Sequence, residues 1–203
     1  MHPREFKPTA IPRPDLPAEV ARRLAQGGFD IEIGAGQGLH AVRYCQANPD
    51  RTLLAVERTH TRFARLNNRR LRHPELKGLL PLQSDAMSVI AHYVTNGQLQ
   101  RVFLLYPNPN PKRKQANLRW HNSPFMGHLH AKMHTGAELH LATNFKWYAE
   151  EAKAIMTSVW GFELAMEVEL HGDNVEPRTH FEKKYLARGE TCYDFVFRKQ
   201  LGL

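Results

Sequence analysis

Five short apolar runs punctuate the first two thirds of this chain: FDIEI (29–33), TLLAV (52–56), LLPLQ (79–83), RVFLLY (101–106) and AELHLAT (137–143). Longer amphipathic stretches near 38–48, 60–72, 86–95, 117–134 and 145–158 alternate with them. Strand followed by helix at this spacing predicts βαβ units and a parallel sheet covered on both faces. Two later runs, FELAMEVEL (162–170) and CYDFVFR (192–198), have no helical pattern between them and read as an antiparallel hairpin at one edge. The expected fold class is therefore α/β, a single Rossmann-like domain over 17–203 with a seven-stranded, mostly parallel sheet. Residues 1–16, with four prolines, read as an irregular arm.

The totals narrow the partners. With 28 Lys and Arg against 20 Asp and Glu, the formal charge is +8, which favours a polyanionic partner and nucleic acid first. No apolar run approaches the ~20 residues of a membrane helix, and the first residues carry no secretory signal, so a cytoplasmic protein without a membrane partner is expected. Cys45 and Cys192 form no CxxC and read as reduced packing residues. His128, His130 and His134 form H-x-H-x₃-H without a neighbouring carboxylate or cysteine, which points to solvent-facing helical histidines and no metal. The oligomeric state is not encoded in any pattern we recognise.

In a sheet of this kind, ligands bind outside the carboxyl ends of the strands. There the sequence reads DIEIGAGQGLHAVRYCQ, with Gly34, Gly36 and Gly38 opening a helix, as a close-approach ligand loop requires. Glu57, ending the second strand, can accept from both hydroxyls of a ribose. Asp85, after the third strand, can accept from an adenine amino group. Glu32 sits inside the first strand, where a carboxylate suits an ammonium and repels a pyrophosphate, so a cofactor carrying an α-amino acid fits better than a dinucleotide. This set resembles the class I S-adenosylmethionine-dependent methyltransferases, with S-adenosyl-L-methionine as the implied cofactor.

After the fourth strand comes LLYPNPNPKRK (104–114), whose prolines permit neither helix nor interior strand from Tyr106 to Pro111. Pro107, Asn108, Pro109 and Lys112, then Thr143 and Asn144, then Thr179, Phe181 and Glu182, with RWHNSPF (119–125), resemble the tRNA (guanine-N7)-methyltransferase family from about Phe29 to Arg198. The resemblance implies methyl transfer to N7 of a guanine in tRNA or another structured RNA. It assigns Asn108 to the catalytic position and to contact with the cofactor, and Lys112, Asn144, Thr179 and Glu182 to the substrate. Asn108 and Asn144 stand where the family has aspartate, and Asn110 where it has an aromatic residue. Two other readings remain open on the residues alone. The hook also resembles the Asn-Pro-Pro-aromatic hook of exocyclic amine methyltransferases, and a catalytically weak RNA- and cofactor-binding protein would equally carry these features. Trp120 and Trp147 are candidates for stacking on an unpaired base, and the arginines of 60–72 for an RNA footprint, with Phe63, Leu66 and Leu71 turned to the sheet.

Overall fold

The strands β1 (Phe29–Ile33) and β2 (Leu53–Glu57) are buried at every residue, as expected where helices cover both faces of a sheet. In the computed structural model, which describes residues 5–172 and 175–200, they join β3 (Leu79–Gln83), β4 (Leu99–Leu105) and β5 (Met133–Thr143) in one parallel array. With β6 (Phe162–Leu170) and β7 (Cys192–Lys199), the seven strands run in the order β3-β2-β1-β4-β5-β7-β6. β7 is antiparallel to both β5 and β6, so the last strand is inserted between two earlier ones and β6 takes the edge. The order reverses between β1 and β4, which opens the ligand crevice of such sheets at their carboxyl ends.

Apolar residues from α1 (Ala18–Leu24), α4 (Ala86–Tyr93), α5 (Phe125–Lys132) and α6 (Lys146–Ser158) pack on one face, among them Leu24, Ile90, Leu129 and Met156. On the other, α2 (Leu39–Ala47) and α3 (His60–Arg72) bury Ala41, Val42 and Leu66 against Leu53, Ala55 and Phe103. The arm is tied down: His92 meets the carbonyl of Ile11 at 3.0 Å, and the Tyr93 hydroxyl donates to that of Pro14 at 2.5 Å. Its residues 1–4 lie outside the described residues.

Four expectations need correction. Only Phe125–Lys132 of the predicted 117–134 helix is α-helical; residues 113–118 and 120–122 form 3₁₀ turns, and β5 already begins at Met133. His134 therefore lies on a strand, not on a helix with His130. A helix, α7 (His180–Leu186), does separate β6 from β7, announced by the capping box Thr179-x-x-Glu182. Leu71 is 68% exposed, because residues 63, 66 and 70 already fill the inner face of α3.

A row of alternating charge crosses the α2 side of the sheet. Asp30 is in register with Arg101, Arg101 with Glu138, and Glu138 with Arg198. At its base Asp30 is fully buried and accepts from Arg51 Nε at 2.6 Å, Arg51 Nη2 at 2.5 Å and the Tyr44 hydroxyl at 2.7 Å. Burial and the neighbouring Asp30 push the Tyr44 hydroxyl up to about 12. Removing one partner of such a pair strands a buried charge. Arg51→Met should therefore lower stability by about 2–3 kcal/mol in urea melts, the low end for a buried pair because Arg51 is one-third exposed.

Candidate active site

Gly34, Gly36 and Gly38 all take positive φ, 78°, 57° and 79°. The turn is pinned from β2: Gly34 and Ala35 donate to the Val56 carbonyl, both at 2.9 Å. Glu57 completes it, Oε2 accepting from Gly36 N at 2.9 Å and Oε1 from Thr59 N at 2.7 Å. A methyl group added at Gly34 or Gly36 would meet nothing within 4 Å, whereas one at Gly38 would strike Leu66. The first two glycines thus leave an open cradle, and the third lets α2 pack on α3.

Beside the cradle lies a cavity of about 200 Å³. Glu32, Gly36, His40, Leu105, Thr179 and Phe181 are among its walls, which brings β1, the loop, the end of β4 and α7 together. Glu32 is 3% exposed. Its Oε2 is 3.1 Å from His40 Nδ1, but off the hydrogen-bond direction, so both atoms remain without a partner. A buried carboxylate oxygen left unpaired at a cavity wall is costly, and a cationic ligand relieves it. Asp85 is exposed at the mouth of β3 and caps α4, Oδ1 accepting from Ser88 N at 2.9 Å. Its other oxygen is not engaged by the described residues.

The hook leaves β4 through a left-handed residue. Tyr106 has φ 54° and Asn110 φ 47°, conformations unfavourable for side chains with a Cβ unless the surroundings enforce them. At Tyr106 the enforcement is visible. Its backbone N–H donates to Ala142 O at 2.8 Å, and its hydroxyl donates to Glu182 Oε1 at 2.7 Å. The rest of the hook is held by Arg119, which donates to the carbonyls of Asn110 (3.2 Å) and Pro111 (3.4 Å), pairs with Glu151 at 2.6 Å and lies 4.7 Å over the Trp147 ring. Asn108 is exposed on this frame, its Oδ1 accepting from Asn110 N at 3.2 Å. Lys112 is exposed where the hook ends. Trp120 packs edge-on to Phe125, its ring 5.9 Å away, as part of the core.

The remaining candidates brace the same region from the other side. Asn144 donates from Nδ2 to Glu190 at 2.7 Å. Thr179 caps α7 by accepting from Glu182 N at 3.0 Å. Glu182 departs most from expectation: it is fully buried, and Arg178 and Tyr106 occupy both of its oxygens. Arg178 also reaches Asp194 of β7 at 2.8 Å. In this arrangement Glu182 joins the hook, α7 and β7, and presents no free carboxylate to a base. Sequence reading missed His40, Tyr106, Arg119, Arg178 and Asp194 as site residues. An arginine next to the Thr179 cap was a usable signal for Arg178; long-range partners such as Asp194 leave none.

Comparison with known proteins agrees with this geometry. The chain resembles solved methyltransferases in fold: an antibiotic-related methyltransferase (TM-score 0.65, 13% identity, 91% of this chain and 95% of that one) and the 16S rRNA (adenine(1408)-N(1))-methyltransferase of Catenulisporales acidiphilia (TM-score 0.62, 15% identity, 93% of each). The model of the family described as "Putative methyltransferase" matches residues 26–195. A tRNA (guanine-N(7)-)-methyltransferase of Saccharophagus degradans is 30% identical over 93% of this chain and 82% of its own length. Another from Nitrosococcus oceani is 28% identical over 84% and 71%. The family match over residues 26–195 defines the chain as a methyltransferase. Within that class, the chain belongs to the tRNA (guanine-N7)-methyltransferase family.

The Glu182 brace has a signature in acid. Burial pushes its carboxyl up, but the hydrogen bonds and charge of Arg178 and the Tyr106 hydroxyl outweigh this and hold it below the ordinary carboxylate range. The unfolded chain then binds this proton more tightly than the folded one, so the contribution is complete above about pH 4.3 and is lost as pH falls through the lower, folded value. Glu182→Gln should destabilise the protein at pH 7 by about 3 kcal/mol and flatten the acid limb of stability against pH, read by urea melts from pH 7 to 3.

Proposed function

We propose that this protein transfers a methyl group from S-adenosyl-L-methionine to N7 of a guanine in tRNA, in the cytoplasm. The observation that carries the reading is the buried Glu32 carboxylate, whose Oε2 makes no hydrogen bond, in a cavity walled by the glycine cradle and by Leu105, where the rigid hook begins. When bound, the cofactor supplies an electrophilic methyl on its sulfonium sulfur. Glu32 would hold the ammonium. Glu57 would take the ribose hydroxyls with the lone pairs that its two backbone contacts leave free, since a carboxylate has about four acceptor sites. Asp85 would take the adenine amino group with its second oxygen. Gly34 and Gly36 would let the backbone approach, with Gly38 setting the start of α2 against α3.

Guanine N7 is a lone-pair acceptor and carries no proton, so its methylation needs no strong general base. The hook's task is to orient the base and to tolerate the positive charge forming on it. Asn108 can accept from a ring N–H and donate to O6, although it lacks the charge that makes such bonds roughly twice as strong. Lys112 would meet a phosphate, positioning the substrate without reading its sequence. Asn144, after β5, and Thr179, at the cavity wall, would contact the base. The buried Glu182 would act through Tyr106, holding the hook against α7.

The direct test is to incubate the protein with labelled S-adenosylmethionine and an unmodified tRNA transcript, digest, and look for 7-methylguanosine by mass spectrometry. Its appearance supports the proposal. Label on an exocyclic amine would move the acceptor to the amine class, and cofactor binding without transfer to any RNA would leave a binding protein. Glu57→Ala should weaken the cofactor at least about tenfold in calorimetry, losing the contact to the glycine loop, the contact to Thr59 and the ribose acceptor. Asn108→Asp should raise the rate by on the order of 10²-fold, the size of one preorganised electrostatic contact.

A further inference from the structure

The cavity mouth carries more positive charge than a small cofactor requires. α3 contains no acidic residue, and Arg62, Arg65, Arg69 and Arg72 recur at three- and four-residue spacing, which sets them along one side of the helix. α7 lies next to this side. Arg69 Nη2 is 3.1 Å from His180 Nε2, and Arg62 stands 5.9 Å over the Phe181 ring. Arg43 of α2 joins the group, donating to the Pro177 carbonyl at 2.6 Å and pairing with Glu176 at 2.9 Å. Lys183 and Lys184 follow on α7, and Arg62, His180 and Lys184 reach the cavity wall itself.

Two properties separate this cluster from an ordinary solvated helix face. Like charges at this spacing repel, and the surroundings register it: burial first, then Arg69, Lys183, Arg43 and Arg65, hold the His180 imidazole below its ordinary range. A polyanion relieves that repulsion. One of the cations, Arg62, also stands over an exposed aromatic: Phe181 is 39% exposed and stacks on Tyr185 with centroids 6.2 Å apart and planes at 20°. Cations along a helix beside a cavity mouth, with an exposed aromatic face next to them, are what a phosphate backbone and an unstacked base require.

Resting on the RNA-substrate reading above, we infer that the α3–α7 face is the track on which the RNA backbone lies. Arg65, Arg69, Arg72 and Lys183 take successive phosphates, Phe181 offers its ring to an unpaired base, and the strand delivers the target guanine to the cavity mouth.

The test variant is Arg65→Glu/Lys183→Glu. Both residues are exposed, and their side chains make no hydrogen bond or ion pair among the described residues. Binding of an unmodified tRNA transcript would be followed across salt concentrations, beside a control of equal charge change, Arg22→Glu/Lys7→Glu, whose residues lie on α1 and the arm over the opposite face of the sheet. Affinity for S-adenosylmethionine should be unchanged in both variants, which establishes folding. The track variant should lose about tenfold or more in affinity and flatten the slope of log K against log salt by about 1.5–2, the value of two phosphate contacts. The control should keep the parental slope. Binding and slope equal to the parent in the track variant, or an equal loss in the control, would overturn the track while leaving the substrate reading intact. An unaltered protein that binds no transcript at all would sink both.

Discussion

The carboxylate of Glu182 holds together three parts of the molecule that are distant in sequence. It receives the hydroxyl of Tyr106, the guanidinium and backbone N–H of Arg178, and through Arg178 it is linked to Asp194. A buried anion of this kind has no solvent to fall back on, so each donor must arrive in place or the charge is left exposed to a low dielectric. That requirement fixes the left-handed turn at Tyr106, which has no conformational reason of its own to form. The hook inherits its direction from that turn and its stiffness from its prolines. Arg119 then fastens the far end from the opposite flank, sandwiched between hook carbonyls, Glu151 and Trp147. The exposed Asn108 is thus mounted on a frame clamped at both ends.

Much of this was legible in the chain, for identifiable reasons. Strands buried on both faces show as short runs rich in apolar residues, most plainly in β2 and β4. Glu32 stood out as a carboxylate inside the first strand and Glu57 as one ending the second, and the structure has them in β1 and at the last residue of β2. The 117–134 segment misled because its apolar spacing suits a helix, while Arg119 and Pro124 serve the hook and a turn; tertiary contacts overrode local pattern. The short α7 escaped notice beneath a motif that had been read for chemistry alone. Thr179-x-x-Glu182 satisfies a helix start and a buried ion pair at once, and sequence cannot say which use a residue serves when both fit. Arg178 and Asp194 meet only across a fold, so neither carried a local sign.

The two asparagines at positions where the family resemblance implies aspartate change the electrostatics in a specific way. In the present geometry each already has a structural partner: Asn108 turns the hook by accepting from the Asn110 N–H, and Asn144 donates to the Glu190 carboxylate. An aspartate at position 144 could not donate and would face Glu190 as a like charge. The pair Asn144–Glu190 is therefore internally consistent, whereas nothing around Asn108 opposes a carboxylate. The two substitutions look alike in sequence and differ in what their surroundings demand.

The placement of β7 between β5 and β6 has a consequence in time. While a ribosome is still extending the chain, β1 to β5 can pair with neighbours already made, but β5 and β6 have nothing to join them until residues 192–199 emerge. Asp194 arrives on that same strand, and with it the last partner of Arg178. The nascent protein can thus form its glycine cradle well before its hook is braced, so that the glycine-loop half of the sheet matures ahead of the half that carries the brace.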